Sequence, residues 1–306
     1  MKKLVICFLV AITFVAGSCQ KGNMNDVQAG DAAEVAFSIE LPIELTTKAI
    51  SDGTSATELY YAVFSQEGNY VQSLAQTAPL EIVGKTAQLR LKLVRNYTYS
   101  FVFWAQAPNA PYTFTPETGT VKVNYQGEAN DEIRDAFCKL HTFKVPDAAT
   151  FAETVTLTRP FAQINFGATD FAPITELRLA MTSTVAISGL ADTYDILNGV
   201  VSGSASTDLS LTTVPEQLNP AESLTVAGKN YAYISMNYIL APAVQSELAN
   251  VKATFAYNGE SVQVDVPNVP FQSNYRTNIV GSFFTDEVTF TIVVDNNFNQ
   301  SDYIVE

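Results

Sequence analysis

Residues 34–45 read EVAFSIELPIEL. Val35, Phe37, Ile39, Leu41, Ile43 and Leu45 take the odd positions; Glu34, Ala36, Ser38, Glu40, Pro42 and Glu44 take the even ones. Successive side chains of a strand point to opposite sides, so six apolar residues at period two make a β-strand with one buried face. Pro42 has no N–H to give to a ladder, which predicts that this strand lies at a sheet edge. The polar stretch after it, TTKAISDGTSAT at 46–57, contains one basic residue, Lys48. Exposed loops of this composition are where proteases cut.

Outward from this strand the same pattern recurs. Leu59–Ser65, Tyr70–Ala75, Ala87–Val94, Tyr97–Gln106, Val121–Tyr125 and Thr154–Thr158 read as short strands between turn residues. Glu128–Leu140 reads as a short helix, because Ile133, Ala136, Phe137 and Leu140 share a helical face. A second run follows at Glu176–Ala180, Leu209–Thr213, Tyr231–Ile239, Val251–Tyr257, Ser261–Val266 and Tyr275–Phe284. It closes with Val288–Asp295, where Val288, Phe290, Ile292 and Val294 alternate. Strands this short and this closely spaced predict an all-β chain of two β-sandwiches with a short helix or two. The length of 306 residues suits two domains, and the 47% apolar content can fill their cores.

The two runs meet at Arg159-Pro-Phe-Ala-Gln-Ile-Asn-Phe166. Pro160 marks a strand start or a crossing between domains, and Ala162, Ile164 and Phe166 open the second sandwich. Arg159 is expected at that joint, hydrogen-bonded to carbonyls or a carboxylate, rather than in a ligand site. The predicted domains are 34–158 and 159–306.

The N-terminus reads MKKLVICFLVAITFVAGSCQ. Lys2 and Lys3 precede twelve apolar residues, Leu4 to Val15, too few to span a bilayer about 30 Å thick. Small residues then lead to Cys19. This pattern predicts a secretory signal over 1–18. AGSC at 16–19 resembles the lipobox of bacterial lipoprotein precursors, which implies a lipid on Cys19. Residues 19–33 are polar and small, a flexible tether. Cys7 would leave with the signal and Cys19 would carry lipid, so Cys138 has no partner for a disulfide. The net charge is −14, and residues 1–18 hold two lysines and no acid, so the chain without them carries −16. That excess repels nucleic acid and anionic membranes, leaving lipid as the only route to a membrane.

Motifs for chemistry are few. His141 is the only histidine, and Cys138-x-x-His141 supplies two donors where zinc takes four. On the helical reading Cys138 is partly buried and the acids Asp131, Glu132 and Asp135 are solvated. Asp295, Asn297, Asn299, Ser301 and Glu306 imitate a calcium loop, but Gln300 stands where a glycine is needed. There is no Gly-x-Ser-x-Gly elbow, phosphate loop or dinucleotide fingerprint. No catalytic residues, metal or cofactor are expected. Trp104 and the tyrosines could stack on sugars, but their alternation with apolar residues favours core packing.

AGSC at 16–19, the strand followed by TTKA at 46–49, RPFAQINF at 159–166 and NYRTNIVGSFFT at 274–285 together resemble the fimbrillin-like lipoproteins of Bacteroidetes, the FimA/Mfa1-type major fimbrial subunit superfamily. The resemblance implies two tandem transthyretin-like sandwiches. It also implies polymerisation by strand exchange, in which a trypsin-like protease cuts after a basic residue in the loop behind the first strand. Here the matching bond is Lys48–Ala49, whereas the family's cut often follows Arg. The displaced strand would carry Val35, Phe37, Ile39, Leu41, Ile43 and Leu45, and the donor would come from Val288–Val305. The implied partners are other fimbrial subunits, in a homo- or heteropolymer, and a host or bacterial surface ligand. The implied address is the outer membrane, at the cell surface or in a fimbria. The alternative is a monomeric surface lipoprotein that keeps its first strand and binds a glycan or host ligand.

Overall fold

The structure is a computed structural model that describes residues 31–42, 52–127, 131–170, 182–211, 223–226, 228–257, 260–284 and 288–295. Among these, twenty strands and two single-turn 3-10 helices form. In chain order the strands are β1 (Ala32–Glu40), β2 (Glu58–Ser65), β3 (Leu80–Glu81), β4 (Thr86–Val94), β5 (Thr98–Gln106), β6 (Tyr112–Thr115) and β7 (Thr120–Val123). Then follow β8 (Phe137–Lys144), β9 (Thr150–Thr156), β10 (Phe161–Ala168), β11 (Thr182–Leu190), β12 (Thr193–Asp195), β13 (Val200–Ser202) and β14 (Ala205–Leu211). The last are β15 (Ser223–Val226), β16 (Lys229–Leu240), β17 (Ser246–Tyr257), β18 (Glu260–Phe271), β19 (Arg276–Ser282) and β20 (Thr289–Asp295).

A three-stranded sheet, β4-β1-β9, faces a four-stranded one, β3-β2-β5-β8. Between them lies one core, with Val35, Phe37 and Ile39 of β1 against Leu59, Tyr61 and Val63 of β2 and Phe101, Phe103 and Ala105 of β5. The second half pairs a five-stranded sheet, β15-β16-β10-β19-β20, with a four-stranded one, β14-β11-β17-β18. Phe166 of β10 meets Phe255 of β17 across this gap, ring centroids 5.6 Å apart. The fold is therefore all-β, built of sandwiches. Alternation explains the one-sided strands, whereas β5 and β10 are buried on both faces; the second face of β10 is made by the polar side chains Gln163 and Asn165.

A fifth sheet, β13-β12-β7-β6, joins the halves. Thr193, Tyr194 and Asp195 of β12 pair antiparallel with Lys122, Val121 and Thr120 of β7. The apolar cluster of the second half also extends to Phe64, Val102, Trp104 and Cys138, on the far face of the β2–β5–β8 sheet. Trp104 is fully buried there, edge-on to Tyr112 at 5.4 Å, with its indole N–H donating to Gln106. It has no face free for a sugar.

Several expectations are overturned. β1 is not an edge strand: it is central, antiparallel to β4 and parallel to β9. Pro42 lies beyond the strand's end at Glu40, and the last N–H in use, from Leu41, donates to the Lys85 carbonyl. The missing donor therefore costs no ladder bond. The helix expected at Glu128–Leu140 is a 3-10 turn, Glu132–Arg134, followed by strand β8. β5 needs a second neighbour, and residues 137–144 supply it, so tertiary pairing overrides the local helical pattern. The strand expected at Tyr70–Ala75 contains a 3-10 turn at Gln72–Leu74. Glu176–Ala180 lies outside the described residues.

Candidate functional site

β1 is the element on which the assembly reading depends. Its odd residues Val35, Phe37 and Ile39, and Leu41 just past its end, are buried. Phe37 is the hub of an aromatic cluster, 4.8 Å from Phe101, 5.5 Å from Phe143 and 6.0 Å from Phe103. Nine residue pairs register it with β4, from Ala32↔Val94 to Glu40↔Thr86. Seven register it with β9, from Glu34↔Thr150 to Glu40↔Thr156. The even face is polar, with Glu34 near Arg90 at 3.6 Å and Gln88 donating to Ser38 at 3.1 Å. Burying the four large apolar residues contributes roughly 6–12 kcal/mol, at about 1.5–3 kcal/mol each. Without β1, β4 and β9 would face each other across an empty strand position lined by Phe101 and Phe143.

Ile43, Leu45, Lys48 and Ala49 lie outside the described residues, as does Cys19. The chain resumes at Asp52, which is tied down. The Lys85 ammonium donates to the Asp52 carbonyl at 2.6 Å, and the Asp52 carboxylate accepts from the N–H and hydroxyl of Thr54. Gly53 has φ +74° and sits so close to Phe137 that an added Cβ would meet the ring at 2.9 Å.

Phe137 leads to the joint. Arg159 reaches Asp135 with Nε at 2.7 Å from Oδ1 and Nη2 at 2.9 Å from Oδ2, both side chains buried. The guanidinium carbon lies 4.7 Å from the centre of the Phe137 ring. Burial lowers the guanidinium pKa to about 9, and burial followed by the Glu132 carboxylate raises Asp135. The two-pronged contact offsets part of both costs. Pro160 follows, its carbonyl accepting from Ala241 N–H. Nearby, Tyr238 donates to Glu132 and the Leu240 N–H to the Tyr125 hydroxyl, so side chains from both halves interlock.

Asp135 was expected among solvated acids; instead it is buried, and Cys138 is fully buried rather than partly. Because β8 is a strand, Cys138 and His141 point to opposite faces and cannot share a metal. Burial raises the Cys138 thiol to about 12, so it stays protonated at neutral pH. Among the described residues no group of three His, Cys, Asp or Glu could hold a metal, and no helix is long and apolar enough to cross a membrane.

β20, the donor candidate, is an edge strand, paired among the described residues with β19 alone. Its alternating apolar set divides: Ile292 aligns with buried Ile279 and packs on the core, whereas Phe290 is 37% and Val288 41% exposed. Val293 and Asp295, on the opposite face, are the buried ones. Residues 296–306, including the calcium-like positions after Asp295, lie outside the described residues.

Among the described residues, cavities open at the surface in two places of note. One, of about 330 Å³, lies between Cys138, Thr158, Tyr194 and the turn at Leu197 and Asn198. The other, of about 250 Å³, is lined by Tyr60, Tyr61, Gln76, Pro79, Phe114 and Pro116 among others. Neither was anticipated. Tyr60 sits in the apolar run of β2, and no spacing rule links it to Phe114.

Residues 27–305 match a family of unknown function, DUF6562. The chain belongs to the DUF6562 family. No protein of curated function matches it. The fold of this DUF6562 chain is shared with solved structures of Bacteroidetes proteins. A Bacteroides ovatus protein, provisionally described as a cell adhesion protein, is 15% identical, with a TM-score of 0.50 over 89% of this chain and 98% of its own. A Bacteroides uniformis protein of the same description is 11% identical, with a TM-score of 0.50 over 88% and 99%. The tip fimbrial protein Mfa3 of Porphyromonas gingivalis is 11% identical, with a TM-score of 0.47 over 86% and 99%.

Proposed function

We propose that this DUF6562 chain is a fimbrial subunit or fimbria-associated surface lipoprotein, anchored through lipid on Cys19, that contributes to adhesion. Its partners are other fimbrial subunits, and it joins them by exchanging β1 for an extended segment of a neighbour. The observation that carries this reading is the place of β1. It is the central strand of its sheet, it contributes the hub of the first core, and the chain leaves it directly into the segment that contains Lys48. A cut after Lys48 converts β1 from a covalent part of the fold into a separable ligand. The empty position then demands an alternating apolar strand, and its pockets set the register. The segment that begins at Val288 and Phe290 has such a pattern, and these two side chains, just before and on the edge strand, are exposed.

The test is limited trypsin treatment of the exported protein. N-terminal sequencing should find chains starting at Ala49, and multimers should form only from those chains. Lys48→Gln should remain intact and monomeric. Multimers that still start at Cys19 would sink strand exchange.

The second reading, a surface lipoprotein that keeps β1 and binds a glycan or host ligand, is favoured by the aromatic-lined cavity at Tyr60 and Phe114. The adhesive role is common to both readings.

A further inference from the structure

The cavity at Tyr60 lies at one end of β2, between the 76–79 loop and the turn that joins β6 to β7. Its walls are aromatic and prolyl. The rings of Tyr60 and Phe114 are 6.2 Å apart at 51°, an open V, with Pro79 and Pro116 completing the sides. Tyr60 and Phe114 are only half-buried.

The pocket is held in shape before any ligand arrives. The Gln76 amide oxygen accepts from the Tyr61 N–H at 2.8 Å, and its NH2 donates to the Leu59 carbonyl at 2.8 Å. One side chain thus pins the 76–79 loop along the edge of β2 as a neighbouring strand would. Pro79 and Pro116 each fix their own φ. A preformed cavity spares a ligand the cost of ordering loops.

The polar groups select the chemistry. The Tyr60 hydroxyl donates to Glu58 Oε2 at 2.9 Å, which leaves its oxygen lone pairs free to accept. Burial and this bond raise Tyr60 to about 12, so the hydroxyl stays protonated. Thr77 adds a hydroxyl at the rim. Among the described residues no lysine, arginine or histidine lines the cavity, while Glu58 bonds to one wall and Glu117 follows Pro116. An anionic ligand would meet carboxylates with no compensating cation. A polyproline helix needs an extended groove, whereas this is a compact pocket of about 250 Å³. A pyranose ring fits both demands. Its C–H face is apolar and lies flat on an aromatic ring, and its hydroxyls donate to hydroxyl oxygens such as those of Tyr60 and Thr77.

We propose that the pocket formed by Tyr60, Phe114, Pro79 and Pro116 binds a neutral pyranose, either alone or as the end of a glycan, with Tyr60 and Phe114 as stacking faces and the hydroxyls of Tyr60, oriented by Glu58, and Thr77 as partners for sugar hydroxyls. This rests on the adhesive reading, since it names what the surface protein would adhere to, but it does not depend on strand exchange.

The test is saturation-transfer NMR of the full exported chain with glucose, galactose, mannose and N-acetylglucosamine at millimolar concentration, with glucuronic acid as the charged control. At least one neutral sugar should receive saturation on its ring protons, and glucuronic acid should receive less than glucose. Tyr60→Ala and Phe114→Ala should each weaken binding roughly tenfold or more, while Tyr60→Phe, which keeps the ring, should weaken it only a few-fold. Gln76→Ala serves as a second probe, because it loosens the loop without removing a stacking face; it too should weaken binding. Thermal melts confirm that each variant folds. The proposal is overturned if no neutral sugar is saturated, if both alanine variants bind as the parent does, or if glucuronic acid binds as well as glucose. Adhesion to a glycan-coated surface that survives Tyr60→Ala would remove this pocket and leave the adhesive function standing. Sugar binding by a chain that never multimerises after cleavage would remove strand exchange and leave the pocket.

Discussion

Arg159 holds Asp135 through two parallel hydrogen bonds, 2.7 and 2.9 Å long, at a place where neither side chain meets solvent. The residues are 24 positions apart: Asp135 precedes β8 of the first half and Arg159 precedes β10 of the second. Removing one partner strands a buried charge. Arg159→Ala is therefore expected to destabilise the protein by about 3–5 kcal/mol. Replacing both, as Asp135→Leu with Arg159→Met, should cost much less, because no charge is left unpaired. Urea unfolding of the three proteins checks this; equal losses in the single and double variants would mean that the ion pair is not what matters.

The surroundings of His141 predict a pH dependence of the fold. Its ring stacks on Phe143, with Glu153 at 3.6 Å. Burial lowers its pKa below the ordinary 6.5, Glu153 opposes the shift, and Lys139 adds to it. Below pH 6.5 the unfolded chain takes up a proton that the folded chain resists. The contribution is thus complete above pH 6.5 and is lost as pH falls toward the folded value. His141→Phe should remove this part of the decline. The check is the difference in melting temperature between parent and variant across pH 8 to 5, which should change in favour of the variant on acidification.

Gly281 lets β20 lie against β19. A Cβ there would come within 2.7 Å of the Phe290 Cα, backbone that cannot move without shifting the strand. Gly281→Val should destabilise by about 1–3 kcal/mol through this overlap. It should also detach β20 first. Hydrogen exchange should quicken over 289–295 while β10 and β17 keep their protection; uniform quickening would show that β20 is not separable from the sandwich.

Legibility followed periodicity. Residues 35–41 announced a one-sided strand because each odd side chain is apolar and each even one is polar or small, and Phe37 is indeed buried with them. Whether that strand is central or at an edge depends on what residues 86–94 and 150–156 do, and Pro42 misled because it lies just past the ladder. Ile133, Ala136, Phe137 and Leu140 have helical spacing, yet β5 offers a ladder edge that a helix could not use, and residues 137–144 take it as a strand. Asp135 and Arg159 are each visible as charges, but nothing local states that they meet. The pocket at Tyr60 and Phe114 is wholly a product of folding, since it brings a strand, a loop and a hairpin turn together. Val288 to Val294 show the limit of period-two reading: the alternation is real, but Val288 and Phe290 stay exposed while Ile292 and Val294 are half-buried.

Phe37 offers a direct measurement of whether β1 remains in the assembled state. In the intact chain its ring contacts Phe101, Phe103 and Phe143 and is fully buried. Phe37→Ala should therefore cost about 3–5 kcal/mol in urea unfolding of the monomer. Phe101, its partner in β5, belongs to the body of the domain, and Phe101→Ala should cost a similar amount. The two substitutions part company in multimers formed after cleavage at Lys48. If β1 has been exchanged for a neighbour's segment, residue 37 is no longer in the particle, and Phe37→Ala multimers should resist urea as well as the parent's. Phe101→Ala multimers should remain weakened, because residue 101 still lines the vacated position and must pack against the incoming strand. Equal weakening by both substitutions in the multimer would show that β1 stays in place, and assembly would then have to use the outer surface of an intact sandwich.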